Sequence, residues 1–294
     1  LNTDDVGCLS PLARLAYWIR ERHQIFLRKK VGRAKPWTDD EVLQTTYFTN
    51  PYRENDKVTR WYADHIRKPF CDTVVRWRKL VFATTVFRWF NWPETAQRLL
   101  DHGLLDAWNA DKAVSLLGQV LAEGGKVFHG AYMITNAGSP KSKLDRVCRD
   151  YLDPVWHAHE LLHDFIAGGC TLAGLHAQLR QFTGMRGSGF MAAQVVADLK
   201  YCPYLKGTSD WWTWSSPGPG SMRGLEIVTG RPWTDRQAAA FAVEVNNLRG
   251  ILNRLLHKMP PLHAQDVQNC LCEFSKYELV RTKRGRAKRK YAGV

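Results

Sequence analysis

Apolar positions recur every three to four residues over residues 11–26, 56–66, 71–89, 93–102, 111–124, 152–166, 172–182, 190–201 and 234–256, the spacing of one helical face. Alternating apolar and polar runs with paired turn residues are scarce, so the pattern predicts a mostly α protein. Helix starts are well marked. Thr38-Asp39-Asp40-Glu41, Trp92-Pro93-Glu94, Asp111 ahead of Ser115, and Thr234-Asp235 each place a capping oxygen or an early acid at a positive helix end. Gly/Pro-rich interruptions fall at residues 124–125, 136–141 and 214–224, and no 20 to 50 residue repeat is present. The third interruption, rich in Trp and Gly, reads as a loop where backbone can approach a ligand closely. These features predict one helical domain over residues 1–280 and a Lys/Arg-dense tail over residues 281–294.

Three polar-aromatic segments break the helical filler: NPYRENDK at 50–57, GPGSMRGL at 218–225 and CEFSKY at 272–277. A helix surface does not need so many charged groups beside Tyr and Pro, so the three together predict a polar site. The 294 residues carry 42 Lys and Arg against 28 Asp and Glu, a formal net charge of +14. Such a balance favours a polyanionic partner, nucleic acid first, because each phosphate contacted releases condensed counterions. No apolar run approaches the roughly 20 residues that a spanning helix needs, and the first residues lack the basic and apolar regions of a secretory leader. A soluble intracellular protein with no membrane partner is expected. The seven cysteines lack the spacing of a disulfide framework, which suits a reducing compartment.

Residues 172–182, a Gly-rich turn at 183–189, and residues 190–201 resemble a helix-hairpin-helix, whose glycines expose backbone N–H groups to a DNA phosphate. Gly187, Ser188 and Gly189 are the DNA-binding candidates there. In DNA glycosylases of this type an acid follows the second helix; Asp210 sits at about that offset, with a helix or turn cap as its alternative role, while Asp198 lies within the second helix. His159-Glu160-Leu161-Leu162-His163 matches the H-E-x-x-H pattern of zinc proteases. No third-ligand extension follows it, so a zinc hydrolase is the least favoured reading, and neither a metal nor a cofactor is expected. No P-loop, dinucleotide fingerprint or nucleophile elbow is present.

The ordered series WIRERH at 18–23, KPWT at 35–38, NPYRE at 50–54, the hairpin at 184–190, GPGS with Arg223-Gly224, and CEF with Lys276-Tyr277 resembles the family named for α-glutamyl/putrescinyl thymine pyrophosphorylases. Its relatives include the helical domain fused to 5-hydroxymethyluracil DNA kinases and phage amino acid:DNA transferases. The resemblance spans residues 18–291 and implies a helical, helix-hairpin-helix DNA-glycosylase-like fold. It further implies a bacteriophage protein, at work in the host bacterial cytoplasm on double-stranded DNA containing modified uracil. The implied reaction is displacement of phosphate or pyrophosphate from 5-(phospho)methyluracil by an amino acid, such as glycine, or a polyamine. A DNA glycosylase or noncatalytic DNA-binding module is the alternative.

That chemistry assigns roles. A leaving phosphoryl group needs cationic and N–H donors, for which Arg53, Lys57 and Arg223 serve, with Gly218, Gly220 and Ser221 as a backbone nest. The amine must lose a proton, and Glu54, Asp210 and Glu273 are the candidate bases. Arg60 or Lys276 would hold an amino-acid carboxylate. Asn50 and Tyr277 complete the substrate-binding set, and an extruded base would stack on Tyr52, Trp211 or Trp214. In the tail, Arg284, Arg286 and Lys288 would contact the DNA backbone. Structural alternatives are an Arg53–Glu54 pair, a Glu273–Lys276 i,i+3 pair, and a tryptophan core.

Overall fold

Capping side chains decide where several helices begin. Ser10 accepts the Ala13 N–H at 3.3 Å, Asp40 the Leu43 N–H at 3.1 Å, and Asn109 the Lys112 N–H at 2.9 Å. Each such cap contributes about 1 kcal/mol. The computed structural model describes residues 3–130 and 139–285. Among these the chain is helical, with one isolated bridge residue at Thr46 and no strand.

In chain order the helices are α1 (Thr3–Gly7), α2 (Pro11–Lys30), α3 (Glu41–Thr45), α4 (Lys57–Tyr62), α5 (Lys68–Cys71) and α6 (Val74–Trp77). Next come α7 (Leu80–Phe90), α8 (Pro93–Asp101), α9 (Ala110–Ala122), α10 (Lys143–Asp145), α11 (Asp153–His157) and α12 (His159–Ala167). Last are α13 (Leu172–Leu179), α14 (Phe190–Leu199), α15 (Pro219–Thr229), α16 (Ala238–Leu255) and α17 (Ala264–Arg281). Of the described residues, those up to Asp56 and those from Trp212 onward form one compact unit, and those from Lys57 to Trp211, inserted between them, form a second. No linker-like composition marks residue 56 or 212, so the sequence reads as one domain across both.

The first unit is built on α2, α15, α16 and α17, which enclose Trp18, Phe48, Phe241, Phe274 and Tyr277. Full burial of a large apolar side chain contributes about 1.5–3 kcal/mol. The interruption at residues 214–224, expected as a loop where backbone approaches a ligand, is helical from Pro219 onward. The Ser221 hydroxyl accepts the Gly218 N–H at 3.0 Å, closing the first turn of α15. The glycines serve packing: a Cβ at Gly224 would overlap the Leu271 carbonyl oxygen and lie 2.6 Å from its carbon. A Cβ at Gly220 would overlap the Cys272 sulfur. The backbone does approach something closely, and it is α17.

In the second unit all eleven residues of α7 are buried, Thr84, Thr85 and Arg88 among them. The helix expected over 71–89 is broken because Thr73 accepts the Arg76 N–H and caps a new start. The one expected over 152–166 breaks at Ala158, between α11 and α12. The α13–turn–α14 unit has the expected local form. Gly184, Gly187 and Gly189 adopt φ of 84°, 70° and 68°, and Trp89 and Tyr151 stand 2.8 Å from where a Gly184 Cβ would be. Asp198, inside α14, forms a buried ion pair with Arg88 of α7, Nη2 to Oδ1 2.7 Å. Among the described residues no helix is long and apolar enough to cross a membrane.

Candidate functional site

Residues 47–51 lie along α17, whose side chains satisfy their backbone in place of a neighbouring strand. Lys276 Nζ donates to the Tyr47 carbonyl at 2.9 Å, Glu273 Oε2 accepts the Thr49 N–H at 3.1 Å, and Asn269 Nδ2 donates to the Asn50 carbonyl at 3.1 Å. Cys270 Sγ faces the Pro51 carbonyl at 3.8 Å. Positions 269, 270, 273 and 276 share one helical face, so α17 grips the segment in antiparallel sense. Glu273 and Lys276 also pair with each other at 2.7 Å.

This grip sets the following turn. Asn50 donates to Asp56 Oδ1 from both its backbone N–H and Nδ2, each at 2.8 Å, folding residues 50–56 around a 3-10 turn at Arg53–Asn55. From α2, Arg22 donates Nε and Nη2 to the Phe48 carbonyl at 3.1 and 3.0 Å. Arg22 and Arg53 are both buried, and their charges act on Asp56. Burial nonetheless pushes the Asp56 carboxyl above its ordinary value; the Asn50 hydrogen bonds and the two guanidinium groups offset this in part. His23 stacks edge-on to Tyr52 at 5.0 Å and is held below its ordinary value by burial and by Arg22. The Tyr52 hydroxyl donates to the Pro260 carbonyl.

Two buried polar atoms of this cluster, Arg22 Nη1 and Asn50 Oδ1, have no hydrogen-bond partner among the described residues. An unsatisfied buried donor or acceptor costs about 1–3 kcal/mol, and a ligand that completes it recovers that cost. A carboxyl with raised proton affinity beside two buried guanidinium groups can accept a proton and hold an anion.

Of the residues selected from sequence, Asn50, Tyr52, Arg53 and part-buried Glu54 lie in this turn. Glu273 and Lys276 brace it from α17. Arg223 is exposed on α15, its charge felt by Cys272. Tyr277, expected to bind substrate, is a core residue, 0% exposed, with its hydroxyl donating to Asp40 at 2.6 Å. Gly218, Gly220 and Ser221 build the α15 start and its packing. Lys57 and Arg60 are exposed on α4 in the second unit.

Asp210 accepts the Leu172 and Ala173 N–H groups, both at 2.9 Å, and so caps α13 with both oxygens. Trp214 is buried, and the Trp211 indole donates to the Lys200 carbonyl at 2.9 Å. In the hairpin, Gly187 and Ser188 are exposed and Gly189 is buried, with Arg180 donating to the Gly187 carbonyl at 2.6 Å. Arg284 is exposed; Arg286 and Lys288 lie outside the described residues. Within the H-E-x-x-H stretch His159 stacks on Trp156 at 4.4 Å, and His163 Nδ1 lies 2.9 Å from Asp164. No group of three or more potential metal ligands gathers among the described residues.

Sequence reasoning passed over Arg22 and Asp56. The available signal was an arginine in the apolar stripe of α2, between Trp18 and Ile25, where a buried charge needs a partner.

A 5-hmdU DNA kinase of Bacillus phage SP10 is 27% identical over 223 residues, covering 71% of this chain and 34% of the relative, so the chain spans about a third of that protein's length. No solved structure matches. The family model described as "5-hmdU DNA kinase, helical domain" matches residues 10–287, which include α2, the Asn50 to Asp56 turn, the hairpin and α17, and to that family the chain belongs.

Proposed function

We propose that the chain is a transferase of phage thymine hypermodification, acting on 5-(phospho)methyluracil in double-stranded DNA. The amine nitrogen of an amino acid, such as glycine, or of a polyamine forms a bond to the 5-methylene carbon. The carbon–oxygen bond to phosphate or pyrophosphate breaks, and the oxyanion leaves with that electron pair. Arg53 and Arg22 hold the departing oxyanion, where charge grows in the transition state. The Asp56 carboxylate takes the proton that the attacking ammonium loses.

The observation that carries this reading is the buried cluster in the first unit, in which Arg22 Nη1 and Asn50 Oδ1 await a partner beside Asp56. Family membership supports the DNA substrate. A kinase acting on 5-hmdU DNA, as the phage SP10 relative is named, would make the phosphorylated base that this reaction consumes. The α13–turn–α14 pair, whose sequence resembles a helix-hairpin-helix, favours a glycosylase or noncatalytic DNA-binding module as second reading.

The test is mass spectrometry of nucleosides from 5-phosphomethyluracil DNA incubated with the protein and an amino-acid pool. An amino-substituted thymidine should appear, and Arg53→Ala should abolish it while DNA binding persists. Abasic sites in place of that product would establish the glycosylase reading, and unaltered nucleosides the noncatalytic one.

A further inference from the structure

In the second unit Val74 and Val75, the first two residues of α6, are 69% and 66% exposed. A single valine in water is ordinary, but two in succession at the start of a short helix make an apolar tip that folding alone does not need. The tip stands on a braced base. Thr73 caps it by accepting the Arg76 N–H at 3.3 Å, and Arg76 is forked onto Asp106 at 2.8 and 2.7 Å while lying over the Phe70 ring at 4.2 Å. Trp77 is buried beneath and stacks on Tyr204, ring centres 3.9 Å apart. Tyr204 is itself 49% exposed, so an aromatic edge adjoins the two valines.

Cations flank this tip. Arg78 is exposed and lies four residues after Val74 and three after Val75, on the same helical face. Lys206 is also exposed, and its charge acts on the Cys71 thiol at the foot of the tip, as does that of Asp72. Arg76 is neutralised by Asp106, which leaves Arg78 and Lys206 against the one carboxylate of Asp72. Two valines and a tyrosine edge fall well short of the roughly 1,000 Å² that a specific protein interface buries. They match a smaller target. Apolar side chains of this size enter between two base pairs while neighbouring cations meet the backbone phosphates on either side.

We propose that Val74 and Val75 form a wedge that enters the base stack of duplex DNA, with Arg78 and Lys206 on the flanking phosphates. This rests on the reading of modified duplex DNA as the substrate, and adds to it the means by which a stacked base is parted from its neighbour.

The experiment uses a duplex with 2-aminopurine, whose fluorescence rises when it is unstacked, placed next to 5-phosphomethyluracil. No amine is present, so nothing depends on turnover. Binding of the parent protein should raise the fluorescence. Val74→Ser with Val75→Ser changes exposed side chains only, so the fold is expected to hold; the rise at saturation should shrink at least about fourfold. Because phosphate contacts carry most of the affinity, binding by that variant should stay within about threefold of the parent. Val74→Leu with Val75→Leu, which keeps an apolar tip, should retain the rise. A duplex bound by the parent without any rise, or a rise undiminished in the serine variant, overturns the wedge alone. Failure of the parent to bind the duplex at all overturns the substrate reading and the wedge with it.

Discussion

Gly224→Ala should strongly destabilise the first unit. In an open helix the same change is favourable, by up to about 1 kcal/mol, because alanine loses less backbone entropy. At Gly224 the added methyl would overlap the Leu271 carbonyl oxygen and sit 2.6 Å from its carbon and 3.0 Å from its Cα. These are backbone atoms in mid-helix and cannot rotate away. α15 and α17 must part by about 1 Å, which forfeits dispersion along the whole contact. Overpacking typically costs about 1–3 kcal/mol and more where nothing yields, so a net loss of about 3 kcal/mol is expected after the propensity gain. Urea denaturation read by tryptophan fluorescence should show the midpoint falling by roughly 1–2 M. Gly250→Ala on α16, where the added methyl would meet only Arg254 Nη1 at 3.7 Å, is the control and should be neutral or stabilising. A Gly224→Ala protein as stable as the parent would refute close packing as the reason for this glycine.

Three further outcomes follow from the same geometry. Asp56→Asn keeps the oxygen that Asn50 needs and removes a carboxyl whose folded value is raised by burial; transfer should stop while stability at pH 7 holds or improves. The sign is fixed by that shift: the parent loses stability as pH climbs from the unfolded Asp value through the raised folded one, and the variant should lack that component of its pH–stability curve. Glu278 is forked by Arg14 and Arg281; burial pushes it up, yet those hydrogen bonds and charges hold it below its ordinary value. Glu278→Gln should therefore cost about 3 kcal/mol by denaturant titration at pH 7 and progressively less as pH falls through the carboxylate range. Glu273→Gln still offers an acceptor to the Thr49 N–H, so turnover at saturating amine should stay within about threefold; a hundredfold loss would return this carboxylate to the chemistry.

The helical class and the hairpin were legible because periodicity and glycine placement report local structure. α17 was not, since its buried face carries Gln265, Asp266, Ser275 and Glu278 among the apolar residues, and a polar buried face breaks the pattern on which periodicity depends. α15 was hidden by Gly and Pro, which read as a loop until the partner helix that needs small residues is in place. The Asn50 to Asp56 turn was found by its density of charge, but its inner members were not. Whether Arg22 faces water or Phe48 depends on a contact 26 residues away, and no local pattern encodes that.

The insertion of one compact unit into the other has a consequence for synthesis. α2 emerges early with Leu15, Trp18, Ile19 and Ile25 on its inner face, but the helix that covers much of it spans residues 264–281. The ion pair of Arg14 with Glu278 joins residues 264 positions apart. The inserted unit has all its own residues by position 211 and can fold during translation, whereas the unit bearing the candidate site waits until α17 leaves the ribosome. Throughout that interval an apolar helix face is uncovered, so the nascent chain is a substrate for chaperones, and any stop codon before α17 yields an intact inserted unit joined to a sticky, siteless remainder.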